Sequence, residues 1–128
     1  MFIATVVLAV VLGAGFIAFG SGKLAGVAPM EEARQHLGLA KGLFKMIGAL
    51  EVLGGIGVLL GLLEPLPLIG MLAAIGLIGM TIGAARYHQL AGDKMKEWLP
   101  AVAMGSIAII YIIPVSYTHL TLPTTPYV

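Results

Sequence analysis

Four stretches of this 128-residue chain are long, apolar and almost free of charge. Met1–Gly22 has no charged residue, and Leu66–Ala85 has none either. Met46–Leu63 is interrupted only by Glu51, and Trp98–Ile113 has no charge over sixteen residues. A helix needs about 20 mostly apolar residues to cross the hydrocarbon of a bilayer. The spacing therefore predicts an all-α integral membrane bundle of four transmembrane helices. Composition agrees: 59% of the residues are hydrophobic and 10% charged, where a soluble domain is about a quarter charged. So few charges could not cover that apolar surface in water. Disorder is excluded as well, because disordered chains are poor in apolar residues. Met1–Gly22 is read as a span and not a cleaved leader, since it lacks a basic start and a clear cleavage site.

The chain has no cysteine, which excludes disulfides, thiolate catalysis, Cys-held zinc and iron–sulfur clusters within it. Net charge is +1, without the clustered basic face that nucleic acid requires. The glycines form no phosphate-cradling or dinucleotide fingerprint, and Ser21 and Ser106 have no base near them in sequence. His36 and His88 lack a second histidine at helical spacing, so they are read as interfacial side chains, with no metal site. The seven methionines are scattered and read as packing.

Residues 114–128 are set apart from this scheme. The string Val115–Thr124 is polar and rich in Thr and Pro. It is also what the codons GTC TCT TAT ACA CAT CTG ACG CTG CCG ACG of a transposon-type sequencing adapter encode. This segment, with His119, is read as an adapter translation and not as native sequence. The remaining unit is a single membrane domain over 1–113.

Pro65 and Pro67 break the chain between the second and third spans and predict a tight turn beside Glu64. All seven basic residues lie in the connections 23–45 and 86–97. Four spans put both connections on one side, and the positive-inside rule makes that side cytoplasmic in a cell (inner) membrane. In the first connection, Pro29 followed by Glu31 and Glu32 is a helix start. Met30, Ala33, Leu37, Ala40 and Phe44 recur at three- and four-residue spacing, which predicts one short amphipathic helix. It lies either on the membrane surface or against the bundle end. Small pairs (Ala9/Gly13, Ala14/Ala18, Gly57/Gly61, Gly79/Gly83) predict close helix approach, within the bundle or in a homo-oligomer.

Glu51 demands an explanation, because an acidic group near mid-span costs about 2.5–3.5 kcal/mol. Its helical neighbours Gly48, Gly54 and Gly55 are small, and Lys23, Arg86 and His88 end neighbouring spans on the same side. A cluster of Lys23, Glu51, Arg86 and His88 at one depth is expected. Three readings stay open: a structural ion pair that sets helix register, a proton- or quinone-linked polar site, and a ligand or ion path.

The order and spacing of these elements resemble the DoxX-like family of small four-helix membrane proteins. The resemblance rests on Gly20-Ser-Gly-Lys-Leu-Ala-Gly26, His36-Leu-Gly-Leu39, the Gly-rich span Ile47–Gly61 around Glu51, and Arg86-Tyr-His-Gln-Leu-Ala-Gly-Asp93. It covers about Phe2–Ile113. It implies a four-helix bundle of a prokaryotic membrane; the family takes its name from a subunit of a thiosulfate:quinone oxidoreductase, and some relatives are linked to membrane redox complexes that handle oxidative or thiol stress. By position it singles out Lys23, Glu51, Arg86, His88 and Asp93 as the candidate polar site. Without cysteine, thiol chemistry would belong to a redox-enzyme partner, so a self-contained enzyme is not expected. The leading expectation is a quinone-facing accessory subunit, with quinone as the candidate cofactor. The alternative is a non-enzymatic transport or scaffold protein with a structural intramembrane ion pair.

Overall fold

The computed structural model describes residues 2–117, and every described element is a helix. They are α1 (Phe2–Ala25), α2 (Ala28–Leu37), α3 (Lys41–Leu60), α4 (Pro67–Leu90) and α5 (Met95–Ser116). Helices α1, α3, α4 and α5 are long and apolar enough to cross a membrane. Their outward residues are apolar too: Leu53, Leu72 and Ile82 are each 60% or more exposed. A helix that is hydrophobic all round needs lipid on its outer face.

The four spans form a ring in which α1 packs on α3, α3 on α4, α4 on α5, and α5 on α1. Glycine contacts give the direction. Gly20 meets Gly48 and Gly13 meets Gly55 across α1 and α3, so the two helices run antiparallel. Gly57 meets Ala73 and Gly61 meets Gly70, which makes α3 and α4 antiparallel in turn. Leu12, Phe16, Val58, Leu77, Ala108 and Tyr111 fill the centre and are nearly or fully buried.

The spans exceed their charge-free stretches. α3 begins at Lys41, five residues before Met46, and stops at Leu60. α4 runs to Leu90, carrying Arg86 and His88 on its last turns. Charged side chains with long stems end a membrane helix by snorkelling, without breaking it. α5 has 22 residues against the sixteen expected. It continues through Ser116, with Pro114 and Val115 buried. Residues 118–128, including His119 and most of the segment set apart above, lie outside the described residues.

The short amphipathic helix expected in the first connection is α2, and the apolar spacing read on to Ala40 and Phe44 runs past its end. α2 ends at Gly38, whose φ of 72° only glycine adopts freely. The Gly38 amide donates to the Gln35 carbonyl and the Leu39 amide to that of Arg34, closing the helix end. Ala40 and Phe44 therefore leave the face shared by Met30, Ala33 and Leu37, and Phe44 belongs to α3.

The small pairs also divide. Gly13 and Gly61 sit at backbone contacts between helices, whereas a Cβ on Gly79 or Gly83 would meet nothing within 4 Å. Ala14 and Ala18 are exposed.

Candidate functional site

The polar residues gather where α2 caps the bundle. α1 and α3 touch through backbone at Gly20 and Gly48, and Gly48 packs against the Lys23 stem. That close approach lets the Lys23 ammonium reach Glu51, one turn along α3. Lys23 Nζ lies 2.8 Å from Glu51 Oε1, with side-chain exposures of 15% and 10%. The approach is an ion contact without hydrogen-bond alignment at Oε1. The same ammonium lies 5.6 Å from the Phe44 ring centre and 6.0 Å from that of Phe19. Aromatic faces at this range attract a cation, so Lys23 is held by a carboxylate and two rings.

A second cluster fastens α2 to the far end of α4. Asp93, in the turn between α4 and α5, accepts from two histidines. His88 Nδ1 lies 2.6 Å from its Oδ2, and His36 Nε2 lies 2.6 Å from its Oδ1. An ionised carboxylate only accepts, so each ring presents a proton on that nitrogen. The hydrogen bond from His88, then that from His36, holds the Asp93 carboxyl below the ordinary aspartate range.

A carboxylate favoured in the folded state contributes stability in full above its unfolded pKa, which is 3.8. That stability is lost as pH falls through the lower folded value. Docking of α2 should therefore hold from neutral pH to about pH 4 and loosen in stronger acid. Spin labels at the exposed Glu32 and Lys96 report the separation. A separation that stays unchanged once the carboxyl is protonated in strong acid would remove Asp93 as the fastener.

Between these clusters lies a cavity of about 360 Å³. Its wall is apolar, from Met30, Ala33 and Leu37 of α2, Phe44 and Ile47 of α3, and Met80 of α4. Its polar groups are Lys23, Glu51, Tyr87 and His88. A second cavity of about 210 Å³ reaches toward α5 at Glu97 and Met104. Lys23, Glu51, Met80, Ala84 and His88 line both cavities. The polar cluster thus stands between two compartments.

Of the residues singled out from sequence, Lys23, Glu51 and His88 share this site, and Asp93 joins it through His88. Arg86 does not. It is exposed and lines a groove between α4 and α5 with Gln89 and Ser106. Two helical positions are about 200° apart, so Arg86 and His88 point to different sides of α4. Sequence reasoning missed His36 as a partner of Asp93, because no local signal links residues 57 positions apart. It also missed the apolar face of α2 as a cavity wall, although the Met30/Ala33/Leu37 spacing was readable. Among the described residues, no three side chains are arranged to hold a metal ion.

The arrangement combines an apolar chamber of ligand size with a fixed cation, a buried carboxylate and a histidine. It suits a largely apolar molecule that carries hydrogen-bond acceptors at one end. The profile of the DoxX-like family matches residues 7–111. No curated protein and no solved structure matches the chain.

Proposed function

Because this chain belongs to the DoxX-like family and is a multi-pass membrane protein, we propose that it is a small subunit presenting a quinone to a membrane redox complex. One observation carries the reading: the cavity of about 360 Å³ joins an apolar wall to the Lys23–Glu51 pair. The residues fit the group. A quinone ring has carbonyl oxygens that only accept, and the Lys23 ammonium has three donors, with the Glu51 carboxylate as its one ion-pair partner among the described residues. Met30, Leu37, Phe44 and Ile47 match the apolar ring face and tail. When bound, a quinone accepts two electrons and two protons, the electrons coming from the partner enzyme. Glu51 orients Lys23 and balances its charge in a setting poor in water. His88 keeps its Nδ1 proton directed at Asp93, which fixes the ring at the cavity edge. In this reading the protein lies in the inner cell membrane, with 23–45 and 86–97 on the cytoplasmic side.

The test is quinone content per chain, by organic extraction after gentle purification from native membranes. Near-stoichiometric quinone is expected, falling on the order of tenfold in Glu51→Gln, the loss expected with about 1.4 kcal/mol of binding. The bundle should stay folded in that variant. Quinone no higher than the lipid background would sink the proposal.

A second reading draws on the paired cavities. The cluster stands between them, as a gate on a solute path would. Under this transport reading, Glu51→Ala blocks flux, and a deletion strain loses solute regardless of oxidants. No quinone is retained in that case.

A further inference from the structure

A third cavity, of about 260 Å³, opens beside the first connection and has no apolar lining residue except Gly26. Lys23, Arg34, Lys41 and Lys45 supply four cations to it, and Glu31 the only acid. Two of the cations are committed. Arg34 grips Glu31 with one edge of its guanidinium, Nε to Oε2 at 3.0 Å and Nη2 to Oε1 at 2.6 Å, and its Nη1 donates to the Leu39 carbonyl at 2.7 Å. Lys23 turns inward to Glu51. Lys41 and Lys45, one turn apart on α3, stand in no salt bridge among the described residues. With Arg34 balanced by Glu31 and Lys23 by Glu51, which lies outside the cavity, the positive charges of Lys41 and Lys45 remain.

Its position selects the source of an anion. Lys23 is on the last turns of one membrane-crossing helix, and Lys41 and Lys45 are on the first turns of the next. The cavity thus sits at the level of a bilayer surface. Leu24, Val27, Leu43 and Met46, within two positions of lining residues in the chain, are exposed by 37–54%. Such side chains suit contact with acyl chains directly below a headgroup. We propose that this cavity binds the phosphate of an anionic lipid headgroup, with Lys41 and Lys45 as its ligands and Arg34 as a fixed cation behind them.

This site does not depend on the quinone reading, since neither lysine lines the larger cavity. The full chain in detergent micelles is titrated with phosphatidylglycerol or phosphatidylcholine, and bound lipid is counted by native mass spectrometry. Phosphatidylglycerol should bind in preference. Each of Lys41→Gln and Lys45→Gln should weaken it roughly fivefold, and the pair on the order of 25-fold. Lys94→Gln with Lys96→Gln, outside the cavity, should leave binding unchanged. A parallel titration with inorganic phosphate separates the sources. Phosphate binding alone, with the same lysine dependence, would overturn the lipid assignment. Equal binding of the two lipids, or equal loss in the control pair, would overturn the site.

Discussion

Replacing Lys23 with methionine should destabilise the bundle by about 3 kcal/mol, the cost of leaving one member of a buried charge pair alone. Glu51 is the member that cannot escape. Its side chain is 10% exposed, and its backbone stands beside Gly48 and Gly55, where α3 touches α1. The converse change, Glu51→Met, should cost less, because the four-carbon stem of Lys23 can carry its ammonium toward the membrane surface. Lys23 also keeps the rings of Phe19 and Phe44 as neighbours. Lys23→Met with Glu51→Met together should recover to within about 1 kcal/mol of the parent, since apolar replacement of a whole buried pair is often neutral or stabilising. Unfolding of all four proteins in mixed micelles gives the double-mutant cycle. If the two single changes cost the same and the pair costs their sum, the ion contact contributes nothing.

Much of this architecture is legible in the sequence because a bilayer accepts few backbone solutions. Four long apolar stretches must be four helices, and a glutamate in a glycine-rich span must find a partner. The helix ends are less legible. The helix period does not stop where charge begins, so α4 reaches Leu90 and α3 starts at Lys41. Gly38 shows the opposite error. The apolar spacing runs through it, but its left-handed backbone ends α2 and sends Phe44 into the next helix. Arg86 illustrates a missed angle: its place at the end of the third span put it in the expected cluster, and helical rotation takes it out. The His36–Asp93 contact depends on how α2 folds back over the bundle, which no local pattern encodes. Lys23 was readable as a basic residue at a span end. Its choice of Glu51 follows from the glycine contact that brings α1 against α3.

That contact yields the other large effect. Gly48→Leu should prevent α1 from packing on α3. A Cβ at Gly48 would already lie 2.8 Å from the Gly20 carbonyl oxygen and 2.8 Å from Lys23 Cβ. One obstacle is backbone and the other begins the side chain that reaches Glu51, so neither can rotate away. Even Gly48→Ala should cost about 1–3 kcal/mol through overpacking. A leucine adds three further carbons to the same gap and forces the helices apart, which also withdraws Lys23 from Glu51. The packing loss and the ion-pair loss then add, for at least about 4 kcal/mol. Gly79→Leu on α4 is the matched control. A Cβ there meets nothing within 4 Å, so the change should be neutral or mildly stabilising, since glycine is the poorer helix former by about 1 kcal/mol. Melting temperatures in micelles separate the two positions. Equal melting of Gly48→Leu and Gly79→Leu would mean that the α1–α3 glycine contact does not hold the bundle together, and the route by which Lys23 reaches Glu51 would fall with it.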